Sequence, residues 1–163
     1  NHGKVTAKGL EVLLNTASFH GFRFTGGYTY THAEIKEGAW SKRGGDWANS
    51  PSKRPNELPR HSLTARIDYE WNDFSAYVKS VSKFDSEQNT KGGPNVDKYK
   101  NYTLVDLGAS YVFKKQHRFS VAVNNIFDTG LEWVPSVTAG SYANAYKEYI
   151  DGRNFWFSYA YSF

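Results

Sequence analysis

The chain has 163 residues and no cysteine, and its 20 Lys and Arg against 16 Asp and Glu give a formal net charge of +4. The missing thiols exclude a disulfide framework and a thiolate metal site. No apolar run approaches the roughly 20 residues of a membrane-crossing helix, which excludes that route across a bilayer but not strands, since a tilted spanning strand needs only about 9–11 residues.

Rings are the outlying feature: 12 Tyr, 11 Phe and 5 Trp make up 17% of the residues, in a chain of mean hydropathy −0.66. Rings set among many Ser, Thr, Asn and Gly suit strands that are apolar on one face and wetted on the other. Seven segments alternate with period two and are predicted as strands. The first, Val5 to Leu14, has an apolar face of Leu10, Val12 and Leu14. In the second, Phe22, Phe24, Tyr28 and Tyr30 alternate with Arg23, Thr25, Gly27 and Thr29. In the third, Leu63, Ala65, Ile67 and Tyr69 alternate with Thr64, Arg66, Asp68 and Glu70. The fourth, Phe74 to Val81, turns Phe74, Ala76 and Val78 one way. The fifth sets Val105, Leu107, Ala109, Tyr111 and Phe113 against Asp106, Gly108, Ser110 and Val112, and the sixth sets Phe119, Val121 and Val123 against Arg118, Ser120, Ala122 and Asn124. The last carries Phe155, Phe157, Tyr159, Tyr161 and Phe163, with Asn154, Trp156, Ser158, Ala160 and Ser162 between them. No proline interrupts any of the seven, as a hydrogen-bonded ladder requires.

The connections alternate between short (Thr16–Gly21, Trp71–Asp73, Lys114–His117) and long (Ile35–Pro59, Asp85–Asn101, Thr129–Tyr149). Tight periplasmic turns and wide external loops give an outer-membrane barrel this rhythm. If Phe163 ends on the periplasmic side, every long connection falls outside. The fold class is therefore expected to be all-β, an antiparallel transmembrane β-barrel wall.

Several motifs then resemble one family. Val123-Asn124-Asn125-Ile126-Phe127-Asp128 resembles the N-L-F-D signature near the end of TonB-dependent receptors. Gly152-Arg153 before an alternating strand that closes on Phe163 resembles their last strand. Gly9-Leu10-Glu11 is similar to their G-V-E strand, and Val105-Asp106-Leu107 to a common strand start. Where the family usually has Tyr, this chain has Leu131 followed by Glu132 and Trp133, which is similar to ferric-enterobactin receptors apart from the intervening Glu. The resemblance covers residues 1–163 and implies about seven C-terminal strands of a barrel of about 22, with the plug domain absent from this chain. With no initiator Met, the chain is expected to be mature, trimmed or a fragment. The resemblance further implies a receptor of the Gram-negative outer membrane that actively imports ferric siderophores. No cofactor is expected to bind directly, iron arriving as the siderophore complex. The implied partners are the siderophore, outer-membrane lipid and lipopolysaccharide, the plug, the remaining strands and the TonB complex. Phe163 is expected to act as a terminal assembly signal.

The candidate ligand residues lie in the long connections. Trp40, Lys42, Arg43, Trp47, Lys53 and Arg54 concentrate four cations and two indoles within Ile35–Pro59. A ferric catecholate is a trianion with flat rings, which cations attract and indoles stack against. The same residues would equally suit lipopolysaccharide phosphates and a membrane interface. Trp133, Tyr142 and Tyr146, with Lys147, form a second cluster. Lys8, Glu11, Arg23, Arg66, Asp68, Glu70, Lys79, Asp106 and Arg118 are expected on the lumen side; their mixed signs suit a solvated wall better than a selective channel. The five histidines lack the spaced His, Asp or Glu company of a metal site, and no G-x-S-x-G elbow occurs, so no enzyme is expected. The rings follow strand faces instead of a basic groove, which argues against nucleic acid. A passive porin-type or adhesin barrel, or a soluble ligand-binding β-barrel, are the alternative readings.

Overall fold

The structure, a computed structural model, describes residues 3–38, 53–55, 58–89, 96–98, 101–130 and 150–163. Among these, seven strands form one antiparallel meander: β1 (Gly3–Asn15), β2 (Phe22–Gly38), β3 (His61–Trp71), β4 (Phe74–Phe84), β7 (Tyr102–Phe113), β8 (His117–Asn124) and β9 (Asn154–Tyr161). Two three-residue strands, β5 (Glu87–Asn89) and β6 (Val96–Lys98), pair with each other inside the β4–β7 connection. Each long strand hydrogen-bonds the next, and the single register shift lies in the β1–β2 pair between Lys4 and Val5.

The tight ends have local causes. Phe19 and Phe22 exchange backbone hydrogen bonds of 2.8 and 2.9 Å around His20 (φ 48°) and Gly21 (φ 83°). Two successive residues at positive φ make the turn whose twist matches a hairpin. A Cβ at Gly21 would lie 2.3 Å from the Glu70 carbonyl oxygen, so only glycine fits. Asn72 (φ 51°) turns β3 into β4, and Lys114 and Lys115 (φ 51° and 61°) turn β7 into β8.

The sheet has two unlike faces. Register puts Leu10, Val12 and Leu14 of β1 beside Tyr30, Tyr28 and Gly26 of β2. The same face continues through Leu63, Ile67 and Tyr69, then Ala76 and Val78, Leu107 and Ala109, Val121 and Val123, and Phe157 and Phe155. Among the described residues nothing packs on it: Leu10 is 58%, Val12 52%, Phe155 73% and Phe157 70% exposed, and the only buried hydrophobic side chain is Ala33. Aromatics band this face at two levels. Near the tight turns, Phe22 packs tilted against Tyr69 at 4.5 Å and Phe119 against Tyr159 at 5.1 Å, and His117 Nδ1 hydrogen-bonds Tyr159 Oη at 2.9 Å. Near the long connections, Tyr28 Oη hydrogen-bonds His61 Nδ1 at 2.8 Å, with Tyr30 5.3 Å from the same imidazole. The 11 residues of β3, at about 3.4 Å each and a tilt near 45°, climb roughly 26 Å, the height of a lipid-facing apolar band.

The opposite face carries Glu11, Arg23, Arg66, Asp68, Glu70, Lys79, Asp106 and Arg118, as the alternation predicts. Lys8 does not join them. It pairs with His32 on the face of Leu10 and Val12, because the period is two and no shift intervenes between residues 5 and 15. Trp156 and Ser158 share the polar face with Ala122 and Ser120, while Phe155, Phe157, Tyr159 and Tyr161 lie on the other.

Candidate ligand site

Of the expected ligand residues, Trp40, Lys42, Arg43 and Trp47, and Trp133, Tyr142, Tyr146 and Lys147, lie outside the described residues. Lys53 and Arg54 are described. The Lys53 carbonyl accepts the Ile35 amide at 2.7 Å, which lays the returning chain beside the extended β2. Arg54 is directed at the neighbouring connection. Its guanidinium lies 2.9 Å from Glu87 Oε1 and 3.4 Å from Asp85 Oδ2, and donates to the Asp85 carbonyl. The Arg54 and Glu87 side chains are each only 12% exposed. Arg60 reaches the same Asp85 carboxylate at 3.2 Å, and the Asp85 amide donates to Asn101 Oδ1 at 3.0 Å. The bases of the β2–β3 and β4–β7 connections are thereby clamped together.

The third long connection is clamped differently, by the signature motif. Asn125 is 4% exposed and adopts φ 49°, a left-handed conformation that Asn tolerates better than most residues. Its Nδ2 donates to the carbonyls of Thr129 and Asp151, both at 3.0 Å, and its Oδ1 accepts the Thr129 amide at 2.8 Å. Asp128 Oδ1 accepts the Arg153 amide at 2.8 Å, and Arg153 reaches back to the Ile126 carbonyl at 3.3 Å. Asp106 Oδ1 accepts the Asn125 amide at 2.9 Å, tying this knot to β7. Sequence reasoning saw Asn124 to Asp128 as a signature without its role; the left-handed backbone at Asn125 and Asp128 (φ 52°) is what makes the role.

Across the polar face a row runs Arg23, Asp68, Tyr77, Gly108, Ala122 and Trp156. Arg66 donates from Nε and Nη2 to the Asp68 carboxylate at 2.6–2.9 Å, and its guanidinium carbon sits 4.2 Å over the Tyr77 ring. Lys79 lies 3.6 Å from Asp106, and Ser75 hydrogen-bonds Ser110 at 2.8 Å. The small residues between Tyr77 and Trp156 leave a trough of about 520 Å³. Paired charges of both signs make a solvated wall, not a ring of one sign. Tyr77 covers Gly108 so closely that a Cβ there would lie 2.3 Å from Cε1 of the ring. Gly108→Val is therefore expected to push Tyr77 from beneath Arg66 and to cost about 1–3 kcal/mol, read as a lowered urea midpoint of the detergent-folded parent receptor. Among the described residues no group of three His, Cys, Asp or Glu could hold a metal ion.

An apolar face this broad, banded at both edges by rings and left bare by the described residues, suits contact with lipid. In lipid the unpaired groups of a sheet must close on themselves, so the sheet is the wall of a transmembrane β-barrel. Residues 1–126 match the family described as TonB dependent receptor-like, beta-barrel, and the chain belongs to that family. The iron-regulated outer membrane virulence protein of Vibrio cholerae serotype O1 is 25% identical over 150 residues, 91% of this chain and 20% of that protein. Among solved structures, the pyoverdine outer membrane receptor FpvA from Pseudomonas aeruginosa PAO1, bound to pyoverdine, superposes with TM-score 0.66 at 21% identity, covering 98% of this chain and 22% of its own. The siderophore receptor PiuA from Acinetobacter baumannii superposes with TM-score 0.62 at 18% identity, covering 78% of this chain and 18% of its own. These two share the fold. The chain spans about a fifth of the length of its curated relatives. It lies in the outer membrane of a Gram-negative bacterium, and its family consists of receptors, not enzymes. The tight turns then face the periplasm and the long connections the medium, with the polar face toward the lumen.

Proposed function

We propose that the chain forms part of a receptor that imports ferric siderophores of the catecholate type, with energy delivered by the TonB complex. Membership of the family over residues 1–126 carries the reading, and the named activities of FpvA and PiuA as siderophore receptors support it. The sheet is open at β1 and β9. An open edge in lipid leaves backbone groups unpaired, so further strands, together with a plug, complete the barrel around the polar face. The catecholate preference rests on chemistry alone. Trp40, Lys42, Arg43, Trp47 and Lys53 would offer cations and indoles to a trianion with aromatic rings, and Trp133, Tyr142 and Tyr146 further rings, while Arg54 holds its connection in place.

Cells expressing the parent receptor as their sole siderophore receptor, supplied with radio-iron as a catecholate or a hydroxamate complex, test both levels. Energy-dependent uptake of the catecholate complex is expected. Uptake of the hydroxamate alone would overturn the catecholate assignment and leave siderophore import standing; uptake of neither would overturn both.

A further inference from the structure

We propose that the trough on the lumen face of β4, β7, β8 and β9 is an inner subsite for a hydroxylated aryl group, occupied by a ring-bearing iron complex after it leaves the external connections. The membrane placement of the sheet carries the position of the trough. The passage of cargo through it rests on the function proposed above.

One ring on the polar face stands apart from its surroundings. Trp156 is 66% exposed, yet its indole is held in place. Its Nε1 donates to Asn154 Oδ1 at 2.7 Å, and the same oxygen accepts from Asn124 Nδ2 at 2.9 Å. With its N–H satisfied inside the wall, the indole presents a bare π face. Tyr77 stands three strands away in the same row, across Ala122 and Gly108. It leans over Gly108, so two strand spacings, roughly 10 Å, remain between the rings. An aryl group stacked on Trp156 fits there with its substituents. The floor beside it is polar and uncharged. Ser75, Ser110, Ser120 and Ser158 are directly opposed in the next row. Ser75 and Ser110 bond each other at 2.8 Å, whereas the Ser120 and Ser158 hydroxyls bond no group among the described residues. Arg66 closes one end: Asp68 takes its Nε and Nη2, and Nη1 keeps its donors for a phenolate oxygen.

The same chemistry permits release. A solute in transit must be held firmly enough to enter and loosely enough to leave. Asp68 already neutralises Arg66, and Asp106 pairs with Lys79. An anion therefore gains a directed hydrogen bond without meeting a concentrated positive field. Neutral hydroxyls and one stacked ring add contacts that are each weak. The trough lies toward the tight turns, since Ser75 is the second residue of β4 and Ser110 lies near the end of β7. Cargo entering between the long connections reaches it only after passing the external rim.

The test uses the full-length parent receptor, freed of other cysteines, with Ser120→Cys as a reporter. In detergent micelles, methyl methanethiosulfonate should modify this thiol within about tenfold of the rate at Lys115→Cys in the exposed turn. Salicylate, a hydroxylated aryl anion, should at saturation slow the modification at least about fivefold. Cyclohexanecarboxylate, of equal charge but without an aromatic ring, should slow it less than about twofold. Trp156→Ala should abolish the protection and Trp156→Phe should keep most of it. In cells, Trp156→Ala should lower the maximal uptake of radio-iron catecholate about fivefold with equilibrium binding unchanged, and Trp156→Phe should restore it. An inert thiol at position 120 would mean that the plug fills the trough, and would overturn the subsite. Equal protection by the two acids, or unchanged uptake in Trp156→Ala, would overturn it as well. Selective protection by salicylate in a receptor that imports no catecholate would overturn the proposed cargo and leave the aryl site standing.

Discussion

Asn125→Ala is expected to release the base of the β8–β9 connection, at a cost of about 3 kcal/mol. The buried side chain makes three hydrogen bonds, to the Thr129 amide and to the Thr129 and Asp151 carbonyls. Each is worth about 0.5–1.5 kcal/mol net, and stranding an enclosed partner costs more. Alanine also loses the ease with which Asn occupies the left-handed region. Native-state hydrogen exchange on the parent receptor checks this. Amides at Thr129, Gly130 and Arg153 should exchange roughly a hundredfold faster, the factor corresponding to about 2.7 kcal/mol of local opening. Asn125→Asp should behave similarly, because it keeps the acceptor for Thr129 but turns a carboxylate toward two carbonyls. Exchange within about threefold of wild type in both variants would reduce the motif to a surface feature.

Arg54→Gln should loosen the external rim, whereas Lys42→Gln/Arg43→Gln/Lys53→Gln should weaken ligand capture and leave the rim closed. Breaking a buried ion pair costs about 3–5 kcal/mol when the partner is stranded. Here the Arg54 and Glu87 side chains keep 12% exposure and Asp85 27%, so about 2 kcal/mol is expected after allowance for solvent. The Ile35 amide, bonded to the Lys53 carbonyl, and the amides of β5 should exchange faster. Arg54→Lys should restore little, since a single ammonium cannot serve two carboxylates and a carbonyl in the geometry of a fork. The triple substitution removes three cations, each contributing about 1 kcal/mol or less to capture of an anion; together they should lower siderophore affinity about tenfold, and more at low salt. Equal affinity at both ionic strengths would leave Lys42, Arg43 and Lys53 as solvated surface. Unchanged exchange in Arg54→Gln would mean that the ion pairs with Asp85 and Glu87 do not hold the connections.

The strands were legible where one face meets lipid, because an apolar requirement on alternate residues writes period two into the sequence. β9 and β7 read clearly for that reason. β2 runs on to Gly38, eight residues past the last ring of its pattern, because Thr31 to Gly38 has risen beyond the lipid. Its ladder there is held by backbone hydrogen bonds that place no demand on side-chain polarity. The β5–β6 hairpin, in which Glu87, Gln88 and Asn89 pair with Lys98, Asp97 and Val96, was invisible for the same reason. Lys8 was misassigned because a charged side chain was expected to seek the lumen; above the aromatic band the outer face is also wet. Arg54 looked like one cation among four, and nothing in the sequence tells that Asp85 and Glu87, 31 and 33 residues onward, stand beside it. The membership of the external clusters was read from composition alone, and only Lys53 and Arg54 among their nine principal residues are described.

The central claim is that this sheet is a membrane wall with Phe155, Phe157, Tyr159 and Tyr161 toward lipid and Asn154, Trp156, Ser158 and Ala160 toward the lumen. The chain contains no cysteine, so single cysteines at positions 154–161 of the parent receptor, freed of any others, can each carry a spin label in a bilayer. Oxygen partitions into lipid and a nickel chelate into water, and the ratio of their collision rates reports each position's surroundings. The account predicts a ratio that alternates with period two, with oxygen favoured at 155, 157, 159 and 161. A profile without that period, or one of opposite phase with lipid contact at 156 and 158, would contradict it.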